Sequence, residues 1–330
     1  MPQRLFLVIL FLVPLCNKSD AAETPKEFLQ RYLVEGEKLK AHYDKGHMVM
    51  RVEEMAGGKQ GVYELERFQD GSNIKTVRRY ISGDKFGLKG DVSVKVATPD
   101  VSYFLRKSDA DYNLELLGGS KADYDKATQN INMGPHGILL RSPFYGWFEN
   151  PLTTVLAMQE ASITKVSEVD IEGQSVKRID LHLSPYNEAL QKGLDHIGGW
   201  LMFEPPTYGA LRQFDLTYWA KGTGKVWARF AGSLSYGESV NDIPVLRRVE
   251  IEVYDANNTA VRTWQGEVKS VTFGSVSASE FSLPPSVLPK GYGTGTRGIS
   301  FWIIALGILA LVIILIVLAY RRWHSTEPTT

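Results

Sequence analysis

The chain has 330 residues, with 37 Lys plus Arg balanced by 37 Asp plus Glu, so its formal net charge at neutral pH is zero. No basic block or stripe runs along it, which removes nucleic acid from the expected partners. Its one cysteine, Cys16, lies near the N-terminus, so the body offers no disulfide, thiol nucleophile or thiolate metal site.

In chain order, MPQR carries a positive charge and LFLVILFLVPL follows as a short apolar run. SDAA then supplies small residues, Ser19 and Ala21, at cleavage-type positions, and residues 1–22 are expected to be a signal peptide. Leu15 in front of Cys16 argues against a lipid attached there. A large exported body without cysteine points to a bacterial envelope, where a sizeable core can stabilise itself unaided.

The body, residues 23–286, opens on TPKEFLQRYLVEGEKLKAHYD. Thr24, Pro25 and Glu27 are placed as cap, first helical residue and capping-box partner. Phe28, Tyr32, Leu39 and Tyr43 form one apolar stripe, which predicts an amphipathic helix lying on another layer. That layer is sheet. HMVMRVEE, VYELERF, IKTVRRYI, VSVKVA, VSYFLRK and YNLELL are strand-like runs separated by Gly- and Asp-rich turns, as in an antiparallel meander. SKADYDKATQNI and NPLTTVLAMQE read as helices around an aromatic loop. Strands then resume through SITKVSEVDI, SVKRIDLHL, GWLMFEPP, LRQFDLTYWA, KVWARFAGSLSY, VLRRVEIEVYD and TAVRTWQGEVKSVTF. About a dozen strands with segregated helices predict an α+β fold, and a twisted sheet of that size curls. The expected shape is a strongly curved antiparallel half-barrel with a few helices packed on or in its concave face.

Residues 287–298 read as a Pro/Gly linker. Ile299 to Tyr320 is uncharged throughout and as a helix covers ~33 Å, so a C-terminal transmembrane helix is expected at 299–320. Trp302 and Tyr320 stand near its ends, and Arg321 and Arg322 place residues 321–330 on the cytoplasmic side. The expected location is the inner membrane, single-pass, with the body periplasmic.

The short motifs argue against chemistry. Gly293, Gly295 and Gly298 fit a dinucleotide pattern without the preceding strand it needs. Asp109, Asp111 and Asn113 begin like a calcium loop, but Leu114 and Ser120 stand where its Gly and Glu belong. The six histidines never fall at zinc-site helical spacing, and no nucleophile elbow occurs. No enzyme, cofactor or metal is expected. The features that carry function are apolar: Phe144, Tyr145, Trp147 and Phe148 crowd one loop, read either as a fixed cover or as a lid on an apolar cavity. Trp200, Met202 and Phe203 are candidate wall residues of the same cavity.

The layout, and the closing phrase VTFGSVSASEFSLPPSV with a last short strand at Phe281 and Leu283, resembles the LolA/LolB/LppX lipoprotein-carrier superfamily. The resemblance implies a curved sheet enclosing an apolar cavity under helices. Carriers of that kind shuttle across the periplasm, whereas the span expected at 299–320 would tether this chain; resemblance and span together imply a membrane-tethered lipid- or lipoprotein-binding module, with an acyl chain or lipoprotein as the expected ligand. The alternative is an envelope sensor or protein-interaction module with a filled core, which meets an envelope protein partner through the aromatic loop or an edge strand.

Overall fold

The computed structural model describes residues 23–83, 89–108, 111–133, 139–141, 143, 150–204, 209–284 and 287. Helix α1 (Pro25–Tyr43) starts at the expected capping box: Thr24 Oγ1 accepts from the Glu27 amide, and the Glu27 carboxylate accepts from the Thr24 amide. Six strands follow as a meander: β1 (Lys45–Ala56), β2 (Lys59–Asp70), β3 (Asn73–Gly83), β4 (Val92–Ala97), β5 (Ser102–Ser108) and β6 (Asp111–Gly118). Helices α2 (Lys121–Met133) and α3 (Leu152–Ala157) interrupt them. The second meander is β7 (Ala161–Ile171), β8 (Gln174–Leu183), helix α4 (Glu188–Gly193), β9 (Leu194–Glu204), β10 (Ala210–Ala220), β11 (Val226–Tyr236), β12 (Leu246–Tyr254) and β13 (Ala260–Phe273).

All thirteen strands form one curved antiparallel sheet in the order β6-β5-β4-β3-β2-β1-β13-β12-β11-β10-β9-β8-β7. The two meanders are joined by the β1–β13 pair, whose register slips by one residue between Val49 and Met50. Tight returns are built where the chain tolerates positive φ: Gly57 and Gly58 between β1 and β2, Glu172 and Gly173 between β7 and β8.

Strand alternation divides the sheet into two faces. The inner face carries Met48, Met50 and Val52 of β1, Tyr63 and Leu65 of β2, Ile179 and Leu181 of β8, Phe214 and Leu216 of β10, and Val249 and Ile251 of β12, all buried in one cluster. Phe28 and Tyr32 of α1 and Leu152, Val155 and Leu156 of α3 fill its curve, together with Leu139 and Leu140. The outer face carries an apolar cluster centred on β3–β5, where Val77, Val94, Val96, Tyr103 and Leu105 bury Phe281.

Three expectations are corrected. No helix among the described residues is long and apolar enough to cross a membrane; α1, the longest, carries charge along its open face. The expected span at 299–320, with the signal peptide at 1–22, lies outside the described residues, and the fold is a curved sheet with few helices and no spanning element among them. The second central helix is only six residues, because Met158 turns extended and the chain enters edge strand β7. The closing phrase forms a 3-10 turn, Ala278–Phe281, rather than a strand. Its Phe281 plugs the outer face, and the Tyr103 hydroxyl donates to Ser282 O at 2.9 Å.

Candidate functional site

The C-terminal end of α1 is pinned to the sheet by one side chain. The Tyr43 hydroxyl donates to Pro244 O at 2.7 Å and accepts from the Leu246 amide at 3.0 Å, and its ring meets Phe273 edge-on at 5.0 Å. Burial pushes that phenol well above its ordinary pKa, so it stays a neutral donor. Below this pin, between α1, α2 and the ends of β1, β2 and β13, lies a cavity of about 240 Å³. Tyr43, Met48, Ile74, Leu140, Val271 and Phe273 give it apolar walls.

Its polar wall is cationic. Arg67 and Arg141 both line it and are only 7% and 5% exposed. Arg67 donates Nε and Nη2 to Gln69 Oε1 at 3.1 and 2.7 Å. Gln69 passes the orientation on, its Nε2 donating to Asp44 Oδ1 at 3.0 Å and to Gly71 O at 3.2 Å. Asp44 Oδ2 accepts from Lys40 Nζ at 2.5 Å. Thr128 and Asn132, one turn apart on α2, complete the lining. Thr128 Oγ1 and Asn132 Oδ1 are buried with no hydrogen-bond partner among the described residues. This lining has no nucleophile beside a base, and no group of three or more His, Cys, Asp or Glu able to hold a metal is found among the described residues. The arrangement offers a space with apolar walls and polar side chains at one side.

In sequence, no family model and no curated protein matches the chain. In structure the chain is similar to a DUF1329 family protein from Desulfovibrio piger, at 10% identity over 80% of this chain and 99% of that one, with a TM-score of 0.44. It is similar also to a domain described as that of an outer-membrane lipoprotein-sorting protein from Vibrio parahaemolyticus, at 9% identity over 77% and 97%, TM-score 0.42. A third is the lipoprotein LppX of Mycobacterium tuberculosis, at 9% identity over 73% and 93%, TM-score 0.28. The last two are proteins of the kind the sequence resemblance named. Likeness this remote carries no residue role across, so the site stands on its own geometry.

Of the expected site residues, Phe144, Tyr145, Trp147 and Phe148 lie outside the described residues. Phe203 is an inner-face core residue, 1% exposed, with ring centroids 5.5 Å from Phe28 and 4.7 Å from Tyr32. Trp200 and Met202 alternate to the outer face, where the Arg178 guanidinium sits 5.2 Å from the Trp200 ring. The three therefore do not share a wall, and none lines the cavity. The residues missed had a signal. Arg67 and Gln69 continue the inward phase of Tyr63 and Leu65, and a charge at an apolar-phase position marks a polar spot on a covered face. A second feature lies on the outer face: His182 stacks on His196 at 4.8 Å, which in turn stacks on Trp219 at 5.5 Å.

Proposed function

We propose that the chain is a non-catalytic lipid-binding module of a bacterial envelope, its body extracytoplasmic, which takes the acyl part of a lipid or lipoprotein into the cavity beneath the end of α1. The observation that carries this reading is the cavity itself: a 240 Å³ space with apolar walls on the covered face of the curved sheet. Away from it, α1, α3 and Leu139 pack against the inner face of the sheet with the protein's own side chains. At roughly 30 Å³ per water-sized unit the space holds about eight such units. At about 0.8 kcal/mol per methylene, burial contributes at most about 6 kcal/mol, a dissociation constant no tighter than tens of micromolar. The site holds a segment of a lipid, not a whole one.

The test is extraction of the purified full chain followed by mass spectrometry. The expected result is a co-purifying acyl lipid, replaced on addition of a fluorescent fatty acid. A chain that is lipid-free and takes up no fatty acid overturns the reading.

The filled curve favours a second reading, an interaction module. Edge strand β7 is exposed or half-exposed along its eleven residues, and a partner strand could pair with it. Cross-linking of β7 to an envelope protein, with no lipid bound, is the outcome that selects it.

A further inference from the structure

We propose that one rim of the sheet is a docking surface for the headgroup layer of an anionic lipid bilayer. The antiparallel order brings the ends of β1 and β3 and the starts of β6, β11 and β13 to the same rim. Met55, Ile81, Tyr112, Trp227 and Val261 stand there, within two residues of those strand ends, and are 38–58% exposed. They are most of the large apolar side chains exposed among the described residues; Val34, Leu116 and Val240 lie elsewhere. Two of the five are put there by irregular backbone. Ile81 and Trp227 are the extra residues where β3 slips against β2 and β11 against β10, a device that re-aims a side chain. Exposed apolar residues scattered singly are ordinary, but their collection at one end of a sheet marks a contact surface. This rim is not the cavity, which lies at the other end, by the start of β1 and the ends of β2 and β13. The inference goes beyond the lipid-binding reading and does not rest on it.

Lysines stand between the apolar residues. Lys59 shares the β1–β2 hairpin with Met55, and Lys107 pairs across the strands with Tyr112 and lies 5.4 Å from its ring. Lys221 and Lys225 flank the turn that leads to Trp227. No carboxylate pairs with these lysines among the described residues. Glu54, Asp91 and Asp255, at the same strand ends, are occupied: Glu54 by Arg262 and Tyr63, Asp91 by Arg106 at 3.9 Å, and Asp255 by the amides of Asn257 and Thr259. A lysine stem lies along apolar surface while its ammonium reaches a phosphate, and Trp and Tyr rings favour the headgroup level. Each lysine held near an anionic surface raises the partition onto it about fivefold. The chain as a whole is neutral, so attraction to such a surface has to come from a local arrangement of this kind. The apolar residues are also spread along an arc from β6 to β11 instead of forming one patch. A fluid layer accepts side chains entering at separate points, whereas a protein partner needs continuous complementary area.

The experiment is spin labelling of the full chain on a Cys16→Ser background, with Met55→Cys, Trp227→Cys or, at the opposite end of the sheet, Val240→Cys. Each labelled chain is reconstituted in vesicles of phosphatidylcholine alone or with about a third phosphatidylglycerol, and collision with a water-soluble nickel complex reports access to the label. In the anionic vesicles the labels at 55 and 227 are expected to be about tenfold less accessible than in detergent, while the label at 240 stays open. High salt, or Lys221→Gln together with Lys225→Gln, should restore access at 227. The lipid comparison is made on one labelled chain, so it decides the matter should the lysine variant fail to fold. Labels at 55 and 227 as open as the label at 240 overturn the docking. Equal protection in phosphatidylcholine alone overturns the anionic preference. Protection already present in detergent overturns the lipid partner in favour of a protein contact, and protection of 240 as well overturns the choice of rim.

Discussion

Glu54 on β1, 2% exposed, accepts from Arg262 Nε on neighbouring β13 at 2.7 Å, and the Arg262 guanidinium lies 4.6 Å from the Trp264 ring centre. The Tyr63 hydroxyl donates to the other carboxylate oxygen at 3.2 Å. This is a polar island among apolar neighbours of the inner face, placed where the two meanders join. Glu54→Ala takes the carboxylate from both donors, and a lost buried partner costs about 1–3 kcal/mol. Urea melts should show that loss, and the double variant Glu54→Ala, Arg262→Met should recover part of it. Additive losses would show that the pair is not coupled.

Phe203 and Trp200 lie three residues apart in sequence and on opposite faces of β9. Phe203→Ala opens the cluster with Phe28 and Tyr32 and should cost about 3–5 kcal/mol. Trp200→Ala loses a half-exposed ring and its contact with Arg178, for about 1 kcal/mol. Equal costs in thermal or chemical melts would mean that the strand phase is wrong.

Gly232 on β11 pairs with Phe214 on β10, and a Cβ added at Gly232 would overlap the Phe214 ring. Phe214 is 1% exposed and has no room to retreat. Gly232→Ala is expected to destabilise by about 1–3 kcal/mol through overpacking, and Gly232→Ala with Phe214→Leu to be the more stable of the two. The measurement is the denaturation midpoint of each variant.

His47 stacks on Phe68 at 4.1 Å on the outer face, with Nε2 3.7 Å from Glu66 Oε2. Its pKa is held below the ordinary 6.5, first by burial and then by the cations Lys75 and Arg79, with Glu280 acting the other way. A depressed histidine favours the neutral form in the folded state. The stability it supports is present above the unfolded value of 6.5 and is lost as pH falls through the folded value. His47→Phe keeps the stack and removes the titration. Below pH 6.5 the native chain should lose stability relative to this variant, and parallel pH profiles would contradict the assignment.

Much of the fold was legible because its signals are local. The capping box at Thr24, the alternation of Val92, Val94 and Val96, and the Glu172–Gly173 turn each act within a few residues, and each stands as read. Length was less legible: α3 stops early because β7 must start at Ala161 to reach its partner Leu183, a demand made from far along the chain. The site was hardest. Aromatic richness drew attention to Trp200 and Met202, yet alternation turns both away from the core. The cavity is assembled from α1, β1, β2, α2 and β13, which only the closing of the sheet brings together, and Arg67 and Gln69 were its trace in the strand pattern.

The most direct test of the account is photo-crosslinking of the full chain with a diazirine-bearing fatty acid, followed by peptide mapping. Label is expected on the cavity walls, at Met48, Leu140 and Val271, and should be suppressed in Thr128→Trp, whose indole would fill the space. Label confined to the outer face or to edge strand β7, or unaffected by Thr128→Trp, would contradict a ligand held beneath the end of α1.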